Sequence, residues 1–435
     1  MICRRRKKIP LAFVALLVCG GFSYYISTTM YKSTSQTKFP QLHNIDNRIS
    51  GPGEAIHGKR GGTERTTGTC IPRKKFVFIA THKTGTVTTS NIFQRYAINH
   101  KLAVLVATAG NPVSWGRSPA EEDYIHTPDE QYDALFNHLT YNKTWLRSKF
   151  PANTAYISII REPSSQLTSA MHYYYLPQLL QMRGVNNPVN ELLLNPWKYK
   201  HLSEVHFDFC NITWDPTRNF MSFDLGYPAE GAEDEEWARR YISELEADFT
   251  LVMLLEYLDE SLVLLRRLMC WEMQDVFYVT KNNRTYSYKK SIPSNEQISN
   301  LRKWKAVDYL LYDTFNTSLW RKIAAQGSDF HEEVYYFREV NTNVNTYCDE
   351  RQEGTPNLTV VASRWNPQFE VDAKFCHVIQ SRVEQLMVPL RKGHKGGRTI
   401  LSERVNVWAV AKGQRTFKYR DEREEYVKML NESTW

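Results

Sequence analysis

The chain has 435 residues, 42% of them hydrophobic and 13% aromatic, with a formal net charge of +8. That apolar content supports a sizeable core and excludes a disordered chain. Five of the basic residues crowd into positions 4–8 with no acidic residue among them, which leaves +3 for the remainder. The electrostatic footprint of a nucleic-acid-binding protein is therefore missing.

Residues 9–26, IPLAFVALLVCGGFSYYI, carry no charge and are just long enough to cross a bilayer as a helix. The basic block before them predicts a cytosolic N-terminus and a translocated remainder. Bulky Tyr24, Tyr25 and Ile26 follow the apolar run where a signal-peptide cleavage site wants small residues. The expectation is a cytosolic tail over 1–8, a retained type II signal anchor over 9–26 and a lumenal stem over 27–69. The stem is rich in Ser, Thr and Gly, and a folded domain of residues 70–435 follows it. Acceptor sequons at Asn142, Asn211, Asn283, Asn316, Asn357 and Asn431 agree with a lumenal location. Beyond the anchor lie Cys70, Cys210, Cys270, Cys348 and Cys376. An odd number allows at most two internal disulfides. No CxxC or Cys/His cluster suggests a metal site.

Within the folded domain, short apolar runs predict strands over 76–80, 102–107, 155–160 and 249–255. Helical patterns follow over 87–99, 164–175 and 259–270. Alternation at this spacing predicts an α/β fold built from βαβ units on a central parallel sheet flanked by helices. Ligands of such sheets bind where strands end and helices begin.

The first such place reads FVFIATHKTGTVTTSNIF, residues 76–93. The loop brings Lys83 as a full charge and Gly85 for close backbone approach, with Thr84, Thr86 and Thr88 as hydroxyl donors at a helix start. Helix N-termini favour anions, so this is a phosphate cradle by composition. It is not the nucleotide triphosphate loop, because no glycine precedes Lys83 within it. The second place reads AYISIIREPSSQLTSAMHYYY, residues 155–175. Arg161 leaves a strand end with a planar fork suited to phosphate, and Ser169 follows eight residues on in the next helix.

These two motifs in this order resemble the donor site of sulfotransferases. The blocks THKTG, FNHLTYN (136–142), RNFMSFDLG (218–226), LLEYLDESLVLLRRLMCW (254–271) and DYLLYDTFNTSLW (308–320) are similar to the galactose 3-O-sulfotransferase family, the one that contains galactosylceramide sulfotransferase. The resemblance implies a P-loop-like sulfotransferase fold and the donor PAPS (3′-phosphoadenosine 5′-phosphosulfate). In it, Lys83, Thr84, Gly85, Thr86 and Thr88 would hold the 5′-phosphosulfate, and Arg161 and Ser169 the 3′-phosphate. Lys83 would be catalytic, with His82 or His138 as base, and no metal would be required. The acceptor would be a galactose-terminated glycolipid or glycan, acted on by a Golgi membrane enzyme, with monomer and homodimer both left open. The order Lys-Thr-Gly-Thr-Val departs from the family's usual loop and is closer to glycosaminoglycan uronyl 2-O-sulfotransferases, which stand as one alternative. A silent glycan-binding member of the fold is another.

Other features are ambiguous by sequence. The aromatic run His172, Tyr173, Tyr174, Tyr175 suits stacking on a sugar or on adenine and core packing equally, and Glu256 could orient a histidine or bind sugar. The basic run 391–398 reads as a solvated connector, and 419–430 as a charged surface helix.

Overall fold

A computed structural model of the chain describes residues 70–392, apart from 109–112, 208–211 and 282–284. The expected anchor and stem, nearly all of the basic run at 391–398 and the helix at 419–430 lie outside the described residues. Among the described residues no helix is long and apolar enough to cross a membrane.

The centre is a parallel sheet of four strands: β1 (Phe76–Ala80), β2 (Ala134–Leu135), β3 (Ala155–Ile160) and β4 (Leu251–Leu254), in the order β2-β1-β3-β4. β1 pairs with β3 along its whole length, from Phe76 opposite Ala155 to Ala80 opposite Ile159. Both therefore end at the same edge. All residues of β1, β3 and β4 are buried, as expected of strands covered on both faces.

The helices that matter for the site are α1 (Thr86–Asn99), α2 (Pro163–Tyr173), α3 (Phe220–Asp224), α4 (Leu258–Met269), α5 (Ala306–Ala324) and α6 (Phe330–Glu350). The expected strands 76–80 and 155–160 stand as read, and 249–255 narrows to β4. The expected strand 102–107 is not one. Val104, Leu105, Val106 and Ala107 are buried, but the free edge of β1 is taken by β2. The run touches the sheet through a single bridge, Val104 to Ala134, and Ala107 bridges Tyr124 outside it. The helix expected over 164–175 stops at Tyr173, because Tyr175 turns left-handed at φ 54°. α4 ends in the same way at Cys270, φ 55°.

Among the described residues, those from Pro72 to Lys392 belong to one compact unit. A disulfide joins Cys348, near the end of α6, to Cys376. Cys70 and Cys270 are also disulfide-bonded. The helix that carries Cys376, Ala373–Gln380, lies against α1: the Asn91 side-chain amide donates to the carbonyls of Val378 and Ser381, at 3.3 and 3.1 Å.

Candidate active site

The loop between β1 and α1 is braced from inside. The Thr84 hydroxyl donates to the Thr81 carbonyl at 3.0 Å and lies 2.9 Å from the Thr81 hydroxyl, which in turn donates to the carbonyl of Ile159 on β3. Thr84 is fully buried, so its hydroxyl serves the loop itself. Lys83 and Gly85 both have positive φ, 65° and 83°. A Cβ on Gly85 would come within 2.6 Å of the Leu255 side chain, so the glycine answers both a conformational and a packing demand. The turn delivers the chain into α1, whose first N–H groups at Thr86 and Val87 have no partner within the helix. The Thr88 hydroxyl accepts the Lys281 N–H at 3.1 Å.

Arg161 stands at the tip of β3 and donates to the Lys83 carbonyl at 3.4 Å. The two sequence motifs, 78 residues apart, thus meet at one edge of the sheet. Burial lowers the Arg161 pKa from its usual value, against the opposing pull of Glu256, Tyr286 and Glu162. A planar cation held in low dielectric without a bidentate carboxylate suits a phosphate. Glu162 does not neutralise it: its carboxylate caps α2, accepting the N–H groups of Ser164 and Ser165 at 2.9 and 2.7 Å, and also accepts the Tyr309 hydroxyl. Glu256 accepts the Glu162 N–H and the Tyr312 hydroxyl, at 3.1 and 3.3 Å. It stands by Arg161 and its bonds lead to no histidine, contrary to the orienting role considered for it. Burial raises its pKa. Ser169 is half-buried, two turns along α2 from the Arg161 end.

The Lys83 ammonium lies over the Tyr173 ring, 3.5 Å from its centroid. Behind the lysine, His82 and His138 stack with centroids 4.2 Å apart and planes 12° from parallel, and Phe220 covers the other face of His82 at 5.0 Å. His138 Nδ1 donates to the Ala80 carbonyl at 2.7 Å. A carbonyl can only accept, so the proton sits on Nδ1 and the lone pair on Nε2. Burial, then the neighbouring His82 and Lys83, push the His138 pKa down to about 3. His82 Nδ1 meets Asp224 instead, 2.8 Å from Oδ1. Asp224 also accepts the His82 backbone N–H at 2.6 Å and the Trp115 indole N–H at 2.9 Å.

A buried relay ties this floor to α5. Lys305 donates to the Gln166 side chain at 3.0 Å, and Gln166 donates to the His82 carbonyl at 3.3 Å. Lys305 also pairs with Asp308 at 2.9 Å, both side chains fully buried, and Asp308 accepts the N–H and hydroxyl of Ser222 at 2.8 Å each.

Every residue expected at the site from sequence therefore lies on the β1–α1 loop, the start of α1, the β3–α2 turn, α2 or the His138 segment, all at one edge of the sheet. Asp224, Trp115 and Phe220 were missed as site residues. Asp224 and Phe220 lie within the RNFMSFDLG block, but nothing in their local pattern names a partner 142 residues away.

The sequence matches the model of the galactose-3-O-sulfotransferase family over residues 3–368. The chain belongs to that family. Among curated relatives of this galactose-3-O-sulfotransferase family member, human galactosylceramide sulfotransferase is 32% identical over 289 residues, 65% of this chain and 66% of that protein. The alignment thus spans just under two thirds of that relative's length. Bovine galactosylceramide sulfotransferase is 30% identical over 316 residues, 71% of this chain and 72% of that protein. Bovine galactose-3-O-sulfotransferase 3 is 32% identical over 315 residues, 69% and 71% respectively. Family membership favours the galactose reading over the uronyl alternative suggested by the Lys-Thr-Gly loop.

Proposed function

We propose that this protein transfers the sulfuryl group of PAPS to the 3-hydroxyl of a galactose residue on a glycolipid or glycan. The observation that carries the reading is the hydrogen bond by which Arg161 meets the Lys83 loop at the strand tips. The arrangement offers one cation for each end of a nucleotide with phosphate groups at both its 3′ and 5′ positions. The residues present fit such a donor: a tight loop that turns through Gly85 at φ 83°, the open N-terminus of α1, and a buried guanidinium.

Bound PAPS supplies an activated sulfuryl group on a phosphate leaving group. Around it, Lys83 and the first N–H groups of α1 place positive charge where the leaving oxygen gains negative charge. Arg161 and Ser169 hold the 3′-phosphate, which fixes the donor's direction along α2. Thr84 contributes its backbone N–H, its hydroxyl being engaged within the loop. The acceptor hydroxyl gives up its proton to the stacked His82–His138 pair as its oxygen bonds to sulfur and the sulfur–phosphate oxygen bond breaks. Asp224 offsets the positive charge that protonation would create on His82.

The reading includes a type II Golgi membrane protein with a lumenal catalytic domain. The basic block at 4–8, the uncharged run 9–26 and the sequons support this location.

The test is twofold. Calorimetry should detect PAP binding to the wild type and its loss in Arg161→Ala. A radiolabelled donor should deliver sulfate to a β-galactoside with the wild type but not with Lys83→Ala. Full transfer by a folded Lys83→Ala protein would refute the reading.

A further inference from the structure

A cavity of about 580 Å³ opens beside the donor site, between the end of α2, the helical turn Leu176–Leu179 and the turn that holds Ser287 and Tyr288. Its walls include Met171, Tyr175, Pro177, Met182, Val185 and Tyr288. Among the described residues that line it, Arg183 is the one with a full charge. Its volume lies in the range of small-ligand sites, roughly 300–1,000 Å³.

The cavity joins the catalytic groups through consecutive residues of α2. Tyr173 lies under the Lys83 ammonium. The neighbouring His172 is part of the cavity wall and stacks on Tyr286 at 4.1 Å, and Tyr286 is an electrostatic neighbour of Arg161. We propose that this cavity receives the apolar aglycone of the acceptor, a long alkyl or acyl chain joined to β-galactose, with the sugar at its mouth over Tyr173. The assignment rests on the galactose reading above and narrows the acceptor from any galactoside to a glycolipid.

Three observations carry it. The walls combine apolar and aromatic side chains with the neutral polar groups of Gln178, Asn186 and Ser287 and a single arginine, a poor match to a donor that carries several negative charges. Those charges have their partners at Lys83 and Arg161. Tyr175 and Val185 in the wall are 44% and 39% exposed, and Tyr173, next to the wall residue His172, is 42% exposed. Apolar side chains left together in water beside a concavity mark a binding surface. Finally, one wall residue has unusual backbone: Tyr175 has a φ of 54°, and Gln181, next to the wall residue Met182, has 58°. Bulky residues are uncommon in that region and persist where the surroundings hold them for use.

The experiment compares octyl and methyl β-galactosides as acceptors for the full-length wild type, Val185→Glu and Tyr175→Ala, with PAP affinity measured alongside. Both substitutions fall at partly exposed positions, and thermal melting checks each fold. Burying an alkyl chain should give the wild type a KM at least about tenfold lower for the octyl compound. Either folded variant should bring the two KM values together while PAP binds within about twofold of wild type. An octyl preference that survives both substitutions would overturn the assignment, as would a loss of PAP affinity, which would give the cavity to the nucleotide. A wild type that binds PAP but sulfates neither galactoside would remove the galactose reading, and this assignment with it.

Discussion

Asp224 holds His82 at two points, accepting its backbone N–H at 2.6 Å and its ring Nδ1 at 2.8 Å. One carboxylate thereby sets both the path of the chain just before Lys83 and the orientation of the ring behind it. An amide cannot replace it. Asn at 224 has one accepting atom for three donors, and its own N–H₂ would face either His82 or the Trp115 indole. Asp224→Asn should lower kcat by about 10²-fold or more, the usual contribution of a positioned base, with PAP affinity little changed. If kcat falls only severalfold, His138 and not His82 receives the proton.

The depressed pKa of His138 gives a stability prediction with a definite sign. Its folded value is about 3, whereas an unfolded histidine titrates near about 6.5. Between these values the unfolded state binds more protons, so the group weakens the fold progressively as pH falls below about 6.5 and is neutral in effect above it. His138→Asn, which keeps an N–H to offer Ala80, should flatten the loss of denaturant midpoint between pH 6.5 and 4 relative to wild type. Parallel curves for the two proteins would contradict the buried neutral ring.

Gly85→Ala combines two penalties. Its φ of 83° costs a side chain about 1–2 kcal/mol, and the added Cβ must displace Leu255. Thermal unfolding should show a lower midpoint, and PAP titration a weaker Kd, because the displaced loop carries Lys83. A variant with wild-type Kd would mean that the loop reforms around alanine.

Lys305 and Asp308 form an ion pair with no solvent exposure on either side chain. Lys305→Met leaves Asp308 with the Ser222 donors and the Met221 N–H, and deprives the Gln166 carbonyl of its donor. Removal of one member of a buried pair costs about 3–5 kcal/mol, measurable as a shift in urea midpoint. Asp308→Asn in the same background should restore part of that loss by removing the stranded charge. No recovery in the double variant would show that the pair does not act as a unit.

The strands of the sheet and the donor loop could be read from the chain because their signals are local. An apolar run that ends in Thr-His-Lys-Thr-Gly states both the strand and the turn. Arg161 and Ser169 were equally visible, eight residues apart on one turn and helix. The run 102–107 misled because burial alone does not make a strand: the β1 edge is filled by Ala134 and Leu135, a pairing that no local pattern announces, and the run only bridges the outer side of Ala134. The histidines were recognisable as candidates, but the carboxylate behind His82 was not. Asp224 lies 142 residues away, and only the fold brings it there. The same holds for Lys305, which in sequence looks like one more surface lysine and in the fold is fully buried.

The packing of α1 against the helix that carries Cys376 has a consequence for assembly during synthesis. Asn91 reaches carbonyls 287 and 290 residues further along the chain. Proteins emerge N-terminus first, so the lysine loop is made early but its supporting helix finds its backing only after residue 381 has cleared the ribosome. Until then a nascent chain holds an unsupported cradle, and a transcript cut short before Val378 yields a protein whose first-made functional element was never completed.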